Sequence, residues 1–582
     1  MAENKITEFY EGINGDVLLV EDVFDREYKY NSLKKEIIFV LGINSLSEIK
    51  ELHLKKNKDS IIIVIEPNLA FFNHVLTQKN MSIFKNDDIY LFADNHVENA
   101  NSFLQPLLSN LDILAMAKNV SFYITNYYRK YDFELSKKCL ALLRQFIRSN
   151  ILIFGNDIAD SLQGLEQNLN NLKWIMKSKN PVELKNTYTN VPAIVVSAGP
   201  SLNKNIQYLK DARGKSIIIA VDTILGRLID EGIIPDFVCS IERISEVYDY
   251  FFKDRSYPKE VTLVGPPLLD GRVFESFQGE LLLPFRTEVN EYRWLQNVLN
   301  IKDEIGMLMG ISCAHVAFGI AEYLGCSPII LVGQDLAYGT KDGQTHASGT
   351  TYDNLAKKPI NNKNDDIVEG YNGDEVKTTK TWIQFKNWFE AQISEKNLHV
   401  INATEGGAKI YHTEQKSLKE ALDIYCIDYV SSIKKAIDQA RTYDINVKEI
   451  KSSLLNEVKY ILDLKEKCLI QYKELIDTDI NATDFSRKLN KISKKINRIS
   501  YIIDSLTTHQ LLMHNLQSTI IQYLWKKNSI EQILSVENFN LEKKAQIQFL
   551  VPVIATLTAI EEIINKVIEE QLDELEWQRN TK

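Results

Sequence analysis

Ala193-Ile194-Val195-Val196-Ser197-Ala198-Gly199-Pro200-Ser201-Leu202 is the stretch on which the fold turns. The first four residues read as a short buried strand, the next five as a tight loop, and Asn205, Ile206, Tyr208 and Leu209 as the helix that follows. Gly199 holds no side chain between a ligand and the backbone, Pro200 fixes the angle of approach, and Ser201 is placed to cap the helix. A turn of this kind can present backbone NH groups to an anion. Each such bond to a charged phosphate oxygen contributes about 1.5–3 kcal/mol. The plain alternative is a capped βα turn without a ligand, because the loop is neither a Walker loop nor a full dinucleotide fingerprint.

The same pattern repeats downstream. Ser216 to Val221 is a strand with Asp222 and Thr223 at its carboxyl end, followed by a helix through Leu225, Leu228 and Ile229. Phe237 to Ser240 runs on to Glu242-Arg243, and Val261 to Val264 leads into Gly265-Pro266-Pro267. Polar groups at the carboxyl ends of successive parallel strands fall along one crevice. Asp222 and Thr223 are therefore candidates for a nucleoside's ribose or base, although a helix cap is an equally ordinary role for Asp222. Gly310-Ile311-Ser312-Cys313 opens another helix, which Ser312 can cap while offering its hydroxyl to a ligand; His315 reads as a helix-start or core histidine.

The sharpest block is Ser327 to Tyr338, in which a buried strand delivers Gln334 and Asp335 to its carboxyl end. A glycine-bounded loop then carries Tyr338 and His346, and loops at strand ends are where catalytic side chains concentrate. With an ordinary pKa of about 6.5, His346 is suited to accept a hydroxyl proton, a contribution of roughly 10²- to 10⁴-fold. Taken alone, a loop histidine is more often solvated and idle. Val400 to Gly407 is a last strand with Thr404 and Glu405 beyond its end, suited to closing one wall of a site.

At 582 residues the chain exceeds one ordinary core. We expect an N-terminal α/β domain over 1–170, a central Rossmann-like parallel-sheet domain over 171–422 and a C-terminal helical bundle over 423–582. In the first, Ile37 to Leu41 and Ile61 to Ile65 have strand, helix, strand spacing, and Glu66 closes the second strand. Only Gly42 stands in the first turn, so a scaffold or docking role is preferred there to nucleotide binding. In the last, no glycine follows Gly407 and Pro552 is the sole proline. Leu454, Val458, Ile461, Cys468, Tyr472 and Leu475 form one apolar stripe, and Leu489, Ile492, Ile496, Ile499, Ile503 and Leu506 a second, with a turn expected at Asn481 to Asp484.

Composition excludes several classes. A net charge of -10 argues against a nucleic-acid backbone as main partner. Met1 to Lys5 is polar, unlike the start of a secretory signal, and no run approaches the ~20 apolar residues of a membrane span, so a cytoplasmic location without a membrane span is expected. The six cysteines are scattered and read as reduced, buried thiols. Paired carboxylates of the Asp-x-Asp kind are missing from the motif region, and Asp365-Asp366 reads as part of a solvated loop.

Taken together, Ser-Ala-Gly-Pro-Ser-Leu (197–202), Ala-Val-Asp-Thr (220–223), Gly-Gln-Asp-Leu-Ala-Tyr (333–338), Gly-Gln-Thr-His-Ala (343–347) and Asn-Ala-Thr-Glu-Gly-Gly (402–407) resemble the central domain of bacterial motility accessory factors, which are flagellin glycosyltransferases. The order of elements is also similar to bacterial sialyltransferases that use CMP-sialic acid. The resemblance implies inverting transfer of a nonulosonic acid, of the pseudaminic or legionaminic type, from a CMP-activated donor to flagellin Ser or Thr hydroxyls. It implies His346 as base, with Tyr338, Ser312 and the Ser197 to Ser201 amides stabilising the departing phosphate and Asp335 beside them. It requires no cofactor; magnesium is not expected, and Asp335 near a phosphate would raise the case for it. Two rivals stand beside it: a magnesium-dependent pyrophosphokinase of the hydroxymethylpterin type, and a non-catalytic flagellin-binding protein. Oligomeric state is left open.

Overall fold

The computed structural model describes residues 9–11, 17–19, 33–43, 46–78, 80–153, 155–339, 343–354, 366–478, 485–531, 533, 535–572 and 575. The chain forms two compact units, one of Met1–Ile158 with Lys459–Glu561 and one of Ala159–Val458 with Glu562–Lys582.

In the first unit β1 (Phe9–Glu11) and β2 (Val17–Leu19) pair antiparallel. The strands β3 (Ile37–Leu41), β4 (Ile61–Glu66), β5 (Ile89–Ala93) and β6 (Val120–Ile124) make a parallel sheet in the order β5-β4-β3-β6. Both faces are covered, which is why β3 and β4 are uninterrupted apolar runs rather than alternating ones. Ile38, Val40, Ile62 and Val64 face Leu46, Ile49 and Val75 from the helices Leu46–Lys55 and Leu69–Gln78. Ile37, Phe39, Ile61 and Ile63 face Leu104, Leu140 and Leu143 from Ala100–Leu108 and Phe133–Ile153, together with Ile521 and Trp525 from the tail helix Gln510–Ser529.

Glu66 is fully buried, and its carboxylate accepts from the amides of Ile43 and Asn68, each at 3.0 Å, and from the Tyr128 hydroxyl. Both its oxygens are committed to the fold. Gly42, at φ +99°, is demanded by packing: a Cβ there would sit 2.3 Å from the Thr125 hydroxyl oxygen.

The tail is helical, with Val447–Ile476 burying Leu454, Val458, Ile461, Cys468 and Leu475. The second stripe is not one helix. Phe485–Asn497 stops and Ile499–Thr508 restarts, so the buried positions become Ile492, Ile496, Ile499, Ile502 and Leu506, with Ile502 replacing the expected Ile503. The turn expected at Asn481 to Asp484 lies outside the described residues. One helix, Val536–Leu572, is long and apolar enough to cross a membrane by length and composition, which corrects the expectation that no segment is. Its Phe549, Leu550, Val553, Leu557 and Ile560 are buried in the protein, the pattern of a core helix.

The second unit contains β7 (Ala193–Val196), β8 (Ile217–Val221), β9 (Phe237–Cys239), β10 (Thr262–Val264), β11 (Leu281–Leu282), β12 (Phe285–Arg286), β13 (Gly306–Met307), β14 (Ile329–Val332), β15 (Asp366–Glu369), β16 (Glu375–Thr378), β17 (Val400–Asn402) and β18 (Glu414–Gln415). Eight of them form one parallel sheet, β11-β10-β9-β8-β7-β14-β17-β18. The expected Rossmann-like centre is present. From β7 the chain steps outward through β8, β9, β10 and β11, then returns to lay β14 on the other side of β7. The order of strands therefore reverses between β7 and β14, where loops diverge and leave a crevice. Asp366 does not sit in a loop: it begins β15, which pairs antiparallel with β16, while Asp365 lies outside the described residues.

The helix Ile158–Asn170, which precedes the boundary expected from sequence, belongs with this sheet. Buried Asn168 donates to Glu291 at 2.6 Å, and Asn171 donates to the carbonyls of Pro267 and Leu269 at 2.7 and 2.8 Å. These are long-range bonds from amide side chains, which hydropathy does not report.

Candidate active site

The turn after β7 and the turn after β14 hold each other. The Gly199 amide donates to the Gly333 carbonyl at 2.8 Å, the Ser197 hydroxyl donates to Gln334 Oε1 at 2.6 Å, and the Ala347 amide donates to the Ala198 carbonyl at 2.8 Å. Asp335 reaches across and accepts from the Ser201 amide at 3.1 Å and the Ser201 hydroxyl at 2.7 Å. Gly199 is required by that approach, since a Cβ would lie 2.0 Å from Asp335 Oδ2 and 2.4 Å from the Gly333 oxygen. Burial raises the Asp335 carboxyl to about 6, and the Ser201 bonds offset part of the effect.

This arrangement changes two expectations. Ser201 makes no capping bond: its own backbone is helical (φ -61°, ψ -26°), its amide and hydroxyl both donate to Asp335, and the helix behind it is only Leu202–Asn205 before the chain tightens to 3-10 geometry over Ile206–Ala212. The amides of Gly199 and Ser201, expected to face a ligand, are engaged by Gly333 and Asp335. The open helix start belongs instead to Cys313–Tyr323. Ser312 caps it, accepting from the His315 amide at 3.2 Å, and the first residues, Cys313 and Ala314, line the crevice; amides of a helix's first turn have no intrahelical acceptor.

The crevice is a cleft of about 250 Å³, lined from the β14 side by Gln334, Asp335 and His346, from β7 by Ser197, Ala198 and Gly199, and from beyond β8 and β9 by Thr223 and Glu242. Ser312, Cys313, Trp382 and Phe385 complete its walls. Among the described residues no lysine or arginine lines it. His346 stacks on Tyr352 with ring centroids 4.2 Å apart, and its Nδ1 lies 2.9 Å from the Thr345 hydroxyl. Burial lowers its pKa from 6.5 to about 4, so the ring is neutral at pH 7 and has a lone pair to offer.

Of the residues singled out from sequence, Ser197, Gly199, Thr223, Ser312, Gln334, Asp335 and His346 are brought to this cleft. The others stand behind it or beside it. Asp222 is buried; its Oδ1 accepts from the Thr223 amide at 2.6 Å and its Oδ2 from the Ser240 hydroxyl at 2.6 Å, and burial holds its carboxyl above the usual range. Pro200 is not a lining residue; its carbonyl accepts from the Asn203 amide. Gly265 is buried and donates its amide to the Leu282 carbonyl, and Gly310 supplies a carbonyl to Arg286. Thr404 accepts from the Gln334 amide, and Glu405 accepts from Asn205 and from the Leu418 amide. Tyr338 packs edge-on against Trp382, with centroids 5.1 Å apart, and donates its amide to the Lys377 carbonyl. His315 is a core histidine: it stacks on Trp388 at 4.1 Å, and burial lowers its pKa to about 3.

Sequence reading left Glu242, Trp382, Phe385 and Tyr352 unassigned. Trp382 and Phe385 share a face three residues apart on the helix Lys380–Lys396, a signal equally expected of core packing. Tyr352 carries no local signal. Glu242 does, as the acid just beyond a strand end; the cleft opens it to solvent, and partial burial followed by the nearby Asp222 carboxylate raises its pKa.

Superposition on solved structures supplies the comparison. The structure titled "Structure of MAf glycosyltransferase from Magnetospirillum magneticum AMB-1" matches with a TM-score of 0.59 over 97% of this chain and 85% of that one, at 15% identity. The chain shares the fold of a MAf glycosyltransferase. The likeness spans both units rather than the central sheet alone. Residues 166–341 also match the profile of a family described as "MptE-like: 6-hydroxymethylpterin diphosphokinase MptE-like". No curated protein matches the sequence.

Proposed function

We propose that the protein is a glycosyltransferase that moves a nonulosonic acid from a CMP-activated donor to Ser or Thr hydroxyls of flagellin. The observation that carries this reading is the sharing of one cleft by neutral His346 and the β7 turn at the point where the strand order reverses. The Nδ1–H tautomer, donating to Thr345, leaves Nε2 free to take the acceptor's proton as its oxygen attacks the anomeric carbon, with inversion. The departing phosphate is met by the Cys313 and Ala314 amides and the Ser312 hydroxyl, preorganised neutral donors aimed where charge develops. An anion close to the imidazole also raises its pKa towards neutrality, which strengthens it as a base. No cofactor is needed by this scheme.

The test is intact-mass analysis of flagellin incubated with the protein and a CMP-nonulosonic acid. Wild type adds the sugar mass, and His346→Ala lowers the rate roughly 10²- to 10⁴-fold while circular dichroism and flagellin binding are kept. Equal rates from both proteins would remove His346 from the chemistry.

The profile match over 166–341 favours a second reading, diphosphate transfer from ATP to a hydroxymethylated pterin. It requires magnesium, for which Asp335 is the acid beside the β7 turn. Turnover of ATP, magnesium and 6-hydroxymethylpterin to a pterin diphosphate by the purified protein would replace the first reading with this one.

A further inference from the structure

A base at residue 346 must take up a proton where burial disfavours the charged ring, so some group of the protein has to offset that cost. Among the described residues the imidazole meets the Thr345 hydroxyl, 2.9 Å from Nδ1, and the face of Tyr352, with centroids 4.2 Å apart and planes within 14° of parallel. Glu242, Cys313 and Asp335 line the same cleft, and Asp222 and Tyr250 act electrostatically on Tyr352, yet none of these is hydrogen-bonded to the imidazole. His346 lines the cleft and Tyr352 does not, so the phenol backs the imidazole instead of meeting a substrate.

The two rings are anchored from different parts of the sheet. Thr351 donates its hydroxyl to the Tyr250 carbonyl at 3.0 Å, and the Tyr352 ring packs on buried Phe251 with centroids 6.2 Å apart, both in the turn Tyr248–Phe252 that comes after β9. At the other end, the Ala347 amide donates to the Ala198 carbonyl at 2.8 Å and the Ser348 amide to Asn203 Oδ1 at 3.1 Å. The stack is thus held from both sides.

We propose that Tyr352 is a positioning residue for His346: its face sets the plane of the imidazole and stabilises the positive charge once Nε2 is protonated. A cation over an aromatic face, within about 6 Å of the ring centre, is attracted by the ring quadrupole, and more strongly where water is excluded. The inference rests on the reading of His346 as the base.

The experiment compares full-length wild type with Tyr352→Leu, which keeps apolar bulk without an aromatic face, and with Tyr352→Phe, which keeps the face. Sugar transfer from a CMP-nonulosonic acid to flagellin is measured, and the His346 ring is titrated by NMR of ring-labelled histidine, assigned by the signal lost in His346→Gln. Tyr352→Leu should lower kcat about 2- to 30-fold with the donor KM unchanged, and move the His346 titration to lower pH. Tyr352→Phe should restore both. An unchanged kcat or an unmoved titration in Tyr352→Leu, beside an active wild type, overturns the inference and leaves the base reading in place. A rate lost in Tyr352→Phe, or a raised donor KM in Tyr352→Leu, assigns the side chain to the substrate and overturns it too. No transfer by wild type overturns the base reading, and the inference with it. Should thermal unfolding show that Tyr352→Leu folds poorly, wild type alone decides: a stacked tyrosine displaces the His346 ring-proton signal upfield in both the neutral and the protonated form, and an undisplaced signal in either form overturns the inference.

Discussion

His346 and Asp335, two of the cleft groups with perturbed titration, shift in opposite directions, and burial is the first cause of both. His346 is held neutral at pH 7 by a pKa lowered to about 4, whereas Asp335 is raised from 3.8 to about 6. For Asp335 the folded state binds a proton that the unfolded chain has released between those two values. Stability from this group is therefore fully present below about pH 4 and is lost as pH rises through 6, by about 3 kcal/mol in all. Asp335→Asn removes the titration, so the urea stability of wild type relative to this variant should fall as pH goes from 4 to 7. A difference that stays constant with pH would show that Asp335 does not carry the shift. The carboxylate is nevertheless kept, because it is the acceptor that fastens Ser201 to the β14 turn.

Among the elements, the helix Cys313–Tyr323 matters most for the cleft, since its start, not that of Leu202–Asn205, is open to a ligand. Its packing is secured by Val316, Phe318, Ile320 and Ala321, all buried. Its end is secured by Ser312, whose hydroxyl accepts from His315. Ser312→Ala should lower stability by about 0.5–2 kcal/mol, measured by denaturant unfolding, and weaken CMP binding at the same time. Loss of stability with binding unchanged would separate the cap from the anion site. The strands were legible one by one: Ala193 to Val196, Ile217 to Val221 and Ile329 to Val332 are apolar on both sides because helices cover both faces of the sheet. The actual role of Ser201 was not, because Asp335, the acceptor to which its amide and hydroxyl donate, lies 134 residues away.

At the scale of the whole molecule the tail is not a separate bundle. Its residues 459–561 join the N-terminal unit, where Trp525 enters the core against the β3–β4 face and donates its indole NH to the Leu114 carbonyl at 2.8 Å. Trp525→Ala should cost about 3–5 kcal/mol in that unit. Amide-exchange protection over Ile37–Leu41 and Ile61–Glu66 should fall accordingly. Unchanged protection there would mean that the tail adds nothing to the sheet's stability.

The sequence alone determined where the core strands of the two sheets lie and that polar groups gather at their ends, because periodicity, glycine and proline act over a few residues. It placed Ser197, Gly199, Gln334, Asp335 and His346 at the ends of two strands that the structure makes neighbours. Only the tertiary structure decided that Asp222 is buried and Glu242 open, that one helix start faces the cleft and the other does not, and that the tail returns to the N-terminal sheet. Each of those outcomes depends on which distant donor reaches an oxygen first and on which faces meet, quantities set by sheet order and packing that no local run of residues contains.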